Sequence, residues 1–288
     1  MKRIQTVHIF LKFLFFTSLL ALASCSSKQD SHEFKAECTD LSVPFKGKIL
    51  IAGSGVNLPL FRKIAQKYQD LTGELVIIPS SIGSTGAIKA LADNTIHIGL
   101  SSRPLKSNEK QYGIEARLLA YAPMVAASNI SLKKEHFSMD MLCDIYSGKK
   151  EVWSDGSLVI PVFRENGDSG FSVIQKKAPL LHKAIKEGVV RGVGKFCYTE
   201  EEVSDYLSKV PGSIGIMDPA TLLLEDIKLN KYALYSNLER KKPLFRPLYI
   251  LTRQANNKAV SGFVDFCFSA EIKSFIKKTG YRIYGDKP

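Results

Sequence analysis

An alternation near the start of this chain restricts its fold most: a short apolar run, a glycine- or serine-rich loop, an amphipathic stretch, then the same again. Ile49-Leu50-Ile51-Ala52 reads as a buried strand that runs into Gly53-Ser54-Gly55. Pro59 suits the first turn of a helix, along which Leu60, Phe61, Ile64, Ala65, Tyr68 and Leu71 recur at helical spacing until Gly73. Leu75–Ile78 is a second strand, Gly83-Ser84-Thr85-Gly86 opens a second helix through Leu91, and Ile96–Leu100 is a third strand before Ser101-Ser102-Arg103. Strands this short and this apolar are covered on both faces, and helical crossovers set them parallel. Ligands of such sheets lie outside the carboxyl ends of the strands, where all three loops fall.

A second region is built alike. Phe137–Tyr146 has a helical pattern and Leu158–Phe163 reads as a strand. Arg164-Glu165-Asn166-Gly167-Asp168-Ser169-Gly170 follows, then a helix that must end near Pro179. Leu118–Ala127 reads as an extended connector between the regions, and Ser213–Met217 as the segment that carries the chain back. No long linker intervenes, so the expected architecture is α/β, with two lobes of parallel or mixed sheet around a cleft. The expected boundaries are 48–120 with 218–288 for the first lobe and 121–217 for the second.

Residues 1–24 read as a signal peptide. Lys2, Arg3 and Lys12 accompany an apolar run from Ile9 to Ala23 that is too short and wrongly flanked for a stable span. Leu22-Ala23-Ser24-Cys25 resembles the lipobox of bacterial lipoproteins, in which Cys25 becomes the lipidated first residue and 25–47 a polar tether to the membrane. The chain is therefore expected outside the cytoplasm, on the periplasmic or extracellular face. Cys38, Cys143, Cys197 and Cys267 are widely spaced, without CxxC or Cys/His ligand spacing, so no metal and no cofactor is expected. His8, His32, His97, His136 and His182 form no HxH or HExxH group, and no GxSxG elbow occurs. A secreted phosphatase or other hydrolase would need such a nucleophile or metal, so the chain is read as no enzyme.

A net charge of +12 suits an anionic partner. Export and the lack of long basic runs interleaved with aromatics argue against nucleic acid. The loops are rich in donors instead. Glycines let backbone N–H groups approach a ligand, Ser54, Ser84, Thr85, Ser102 and Ser169 offer hydroxyls, and Arg164 offers a fork matched to a tetrahedral oxyanion. Each loop alone is an ordinary turn; the set makes an anion site.

The order of segments resembles the phosphate-binding subunit of bacterial phosphate ABC importers, a type II periplasmic solute-binding protein. The resemblance runs from about Lys48 to Tyr281. It rests on Gly53-Ser54-Gly55, Ser81–Gly86, Ile98–Leu105, Ile145–Lys149 with Trp153, Arg164–Gly170, Gly212–Ile216, Arg246-Pro247-Leu248-Tyr249, and Phe263–Phe266 through Ser269-Ala270-Glu271 to Gly280-Tyr281. It implies a monomer that closes over inorganic phosphate and docks on permease and ATPase subunits. It places binding positions at Asn57, Leu58, Ser84, Thr85, Ser102, Arg164, Ser169 and Gly170, to which the donor-rich loops themselves add Ser54, Gly55 and Asp168. Three departures stand out: Ser102 where some members carry an aspartate, Asp168 inserted before Ser169 with Phe171 replacing a threonine, and His97 where relatives often have an aspartate. Asp168 is read as the acceptor for the phosphate proton, and His97 as structural. The alternatives are a sensor or binder of another oxyanion (sulfate, molybdate or a phosphonate) and a structural lipoprotein with a dead site.

Overall fold

The computed structural model describes residues 48–131, 137–164, 169–238, 242–253 and 257–285. The opening alternation folds as its pattern dictates: β1 (Lys48–Gly53), α1 (Leu58–Thr72), β2 (Leu75–Ile77), α2 (Gly83–Ala92) and β3 (Ile98–Ser101). Both β2 and β3 pair with β1 in parallel. Gly73 ends α1 in the left-handed region, at φ 73°, as its position after the last periodic residue predicts. Gly53 is required by packing, because a Cβ there would lie 2.2 Å from the Leu100 carbonyl oxygen. The first loop therefore leaves the sheet pressed against β3.

The expected connector is two strands. β4 (Ile114–Pro123) belongs to the first sheet and β5 (Val125–Ser128) to the second, with buried Met124 between them. The second sheet then gathers α3 (Met139–Ser147), β6 (Ile160–Arg164), α4 (Ser169–Lys177), α5 (Pro179–Arg191), β7 (Lys195–Cys197), α6 (Glu200–Lys209) and β8 (Ser213–Met217). After α7 (Pro219–Leu224), β9 (Asn230–Ala233) pairs with β5, so these residues lie in the second sheet although the sequence groups 218–288 with the first. Pairing decides the matter: β8 occupies one side of β5 and β9 the other. Likewise Ser213–Met217 does not carry the chain back; the return runs between Ala233 and Phe245. There Met124 N–H donates to the Leu244 carbonyl (2.9 Å) and Leu234 N–H to that of Met124 (3.2 Å), binding the two crossing segments side by side. β10 (Phe245–Arg253), α8 (Lys258–Cys267), α9 (Ala270–Lys278) and β11 (Arg282–Ile283) complete the first lobe.

The sheets are mixed, ordered β11-β4-β10-β3-β1-β2 and β7-β6-β8-β5-β9. Each has its own core. Phe61, Ile64 and Phe263 pack on the first, Tyr146, Phe163 and Leu181 on the second. Full burial of each such side chain contributes ~1.5–3 kcal/mol. Cys143, Cys197 and Cys267 are free thiols, and burial raises all three above the usual range, so they behave as core residues.

Candidate anion-binding site

Three loops of the first sheet converge at the carboxyl ends of β1 and β3. Asn57 sits at the start of α1, yet its side chain makes no cap hydrogen bond. It turns towards Ser102, whose hydroxyl donates to Ser54 Oγ at 2.8 Å and lies 3.4 Å from Asn57 Oδ1. Ser102 N–H donates to Ser84 Oγ at 3.1 Å. Four of the expected residues thus form one buried polar cluster, and Asn57 Nδ2 in it has no hydrogen-bond partner among the described residues. A buried amide donor left unpaired costs ~1–3 kcal/mol, which a ligand oxygen would offset.

Not every expected donor points there. Thr85 is exposed and accepts from Arg103 Nη2 at 3.0 Å. Leu58 N–H is committed to the Gly55 carbonyl within a 3-10 turn over Gly55–Asn57. Arg103 is held by Glu109 through two bonds of 2.7 Å each, and these bonds first of all keep the Glu109 carboxyl below its ordinary range. His97 Nδ1 accepts from Leu50 N–H at 2.8 Å while His97 N–H donates to the Leu50 carbonyl, so the ring fastens β1 to the residue before β3. Burial lowers its pKa, which keeps that nitrogen free to accept.

The second sheet brings Arg164, Ser169 and Gly170. Arg164 ends β6, and Ser169 and Gly170 open α4, where backbone N–H groups have no intrahelical partner. Ser169 Oγ is buried, again with no partner among the described residues. Asp168, like Cys25, lies outside the described residues. Two further residues went unforeseen. Arg164 Nη1 donates to Glu200 Oε2 at 3.0 Å, and Glu200 Oε1 accepts from Asp218 N–H at 2.7 Å. Glu200 is buried, and its Cβ lies 3.9 Å from where a Cβ on Gly55 would stand, so it joins the clamp arginine to the first loop. Nothing in the sequence marked it, because it opens a run of three glutamates of the sort that usually faces water at a helix start. Arg246 is the other. It lines a cavity of about 30 Å³ together with Arg164, Gly170 and Glu200. Among the described residues no group of three His, Cys, Asp or Glu could hold a metal ion.

Two buried orphan donors, one in each sheet's loops, together with hydroxyls, helix starts and the Arg164 fork, are chemically suited to a small oxyanion. The family model for the PBP superfamily domain matches residues 39–271. The chain belongs to the PBP superfamily. The two-lobed α/β fold with mixed sheets is that of the type II periplasmic binding proteins. Relatives of this PBP-superfamily chain include a phosphate-binding protein PstS 2 of Streptococcus agalactiae, 34% identical over 110 residues; the match covers 38% of this chain and only 37% of that protein. The phosphate-binding protein PstS of Borreliella burgdorferi is 22% identical over 258 residues, covering 81% of this chain and 88% of its own. An ABC transporter substrate-binding protein of Clostridium perfringens, solved with bound phosphate, superposes with TM-score 0.60 at 18% identity over 82% of this chain and 99% of its own. The curated relatives carry the names of binding proteins and not of enzymes.

Proposed function

We propose that the chain captures inorganic phosphate outside the cytoplasm and hands it to the permease and ATPase subunits of an ABC importer. The observation that carries this reading is the buried cluster of Ser54, Asn57, Ser84 and Ser102 with its unpaired amide donor, beside a loop that Glu200 links to Arg164. Hydroxyls, amides and one fork suit the four oxygens of a tetrahedral anion. The names of the curated relatives supply the choice of phosphate. Gly55 and Gly170 offer backbone N–H groups to the anion, Leu58 and Thr85 support the loops, and Asp168 supplies the proton acceptor. An open form admits the anion, and contacts from both lobes shift the population towards closure. In this reading the protein works as a monomer.

Thermal unfolding of anion-stripped protein with phosphate, sulfate and molybdate tests the ligand. At a hundred times its Kd phosphate contributes about 2.7 kcal/mol, a rise of roughly 5–10 °C for a protein of this size. A larger rise with sulfate or molybdate than with phosphate would move the chain to another oxyanion. Cys25 holds it to the membrane through acyl chains, so a Cys25→Ser protein is expected in the soluble fraction of cells, and its retention in washed membranes would remove the anchor from the account.

A further inference from the structure

The buried charges do not stop at the clamp. Arg246 stands on β10 opposite Ala122 of β4, in the first sheet, and is 2% exposed. It nevertheless lines the same small cavity as Arg164, Gly170 and Glu200. A volume near 30 Å³ is about the room of a single water, so the side chains that line it, Arg164 and Arg246 among them, stand close together. Beside Arg246 lies Asp218, at the exit of β8. Asp218 caps α7 by accepting from Ala220 N–H (2.8 Å) and accepts a hydrogen bond from Tyr281 O–H, while burial raises its pKa and the charge of Arg246 opposes that rise. Glu200 thus ties Arg164 to the Asp218 backbone, and Arg246 lies near both, lining the cavity with Arg164 and Glu200 and acting on the Asp218 carboxyl through its charge.

We propose that Arg246 is a second cationic residue of the anion site, contributed by the first sheet, and that Glu200 and Asp218 position the two arginines so that one anion draws on both. The inference rests on phosphate being the ligand of this site. A lone structural ion pair would need neither the shared cavity nor the tie from Glu200 to the Asp218 backbone. The arrangement makes affinity depend on both sheets being in register, since neither sheet alone supplies both guanidinium groups.

The test uses the full chain, stripped of anion and titrated calorimetrically with inorganic phosphate. Removing Arg246 alone would strand Asp218 in the core, so Arg246→Gln is combined with Asp218→Asn, which leaves the pair neutral. The double variant is expected to unfold cooperatively, like the parent, but to bind phosphate at least tenfold more weakly, with a shallower dependence of affinity on salt. A folded double variant within twofold of the parent affinity and with the parent's salt slope would overturn the proposal. If the double variant does not fold, Arg246→Lys decides: it keeps the charge without the fork and should lose at least threefold, whereas unchanged affinity overturns the proposal. Absence of phosphate binding by the parent would instead overturn the function on which the inference rests.

Discussion

Replacing Arg164 by glutamine is expected to weaken phosphate binding by about thirtyfold or more. Truncating one partner of a buried, hydrogen-bonded charge contact costs ~2–5 kcal/mol, and each 1.4 kcal/mol is about a factor of ten. Arg164 has a second duty, because Glu200 is 1% exposed and takes its hydrogen bond at 3.0 Å. Glutamine at position 164 therefore leaves a carboxylate buried without its cation, which costs stability on the order of 3–5 kcal/mol. The two effects separate in the Arg164→Gln/Glu200→Gln protein. Its unfolding temperature should recover most of the loss, while its calorimetric affinity for phosphate stays low. A double variant that regained both stability and affinity would show that Arg164 serves only to neutralise Glu200.

Stability should also fall as pH rises towards neutrality, and Asp218 should be a main cause. Its carboxyl is fully buried at the exit of β8, and burial pushes its pKa up to about 7 from the ordinary 3.8. Arg246, the Tyr281 hydroxyl and the Ala220 N–H all oppose that rise, and Glu200 adds to it. Because the folded-state value lies above the unfolded one, the folded protein holds a proton between about pH 4 and 7 that the unfolded chain has lost. Its stabilisation is therefore complete below the unfolded value and is lost as pH rises through about 7. Between about pH 5 and 8 the loss amounts to ~2–3 kcal/mol, because a proton held only by the folded chain costs about 1.4 kcal/mol for each step of one in pH. Asp218→Asn cannot titrate. Thermal unfolding at pH 5 and pH 8 should show the variant gaining on the parent by that amount as pH rises, and parallel profiles would mean that Asp218 is ionised throughout.

Much of this was legible in the residues. Short apolar runs ending in glycine- or serine-rich loops located β1 and β3, and the donors Ser54, Asn57, Ser84 and Ser102 fell into one cluster because strand ends and helix starts fix where such loops meet. What escaped notice depends on pairing over long sequence distances. Leu118–Ala127 looks like one extended stretch, and only the partners of Ala122 and Val125 assign its halves to different sheets. Thr85 follows Ser84 in the donor-rich loop, but the helix turns it outwards to Arg103, which Glu109 holds in place. Glu200 looks like a surface charge in sequence, and Arg246 stands there only as part of a matching segment, with no role attached. α6 and β10 bring the two to one cavity from 46 residues apart, a relation that no local pattern encodes.

The central claim is that donors from both sheets form one site for phosphate. The most direct measurement is isothermal titration of the anion-stripped protein with inorganic phosphate. The account predicts one saturable site per chain with Kd about micromolar or tighter, equivalent to roughly 8 kcal/mol or more. A folded protein that shows no saturable binding of phosphate would contradict it.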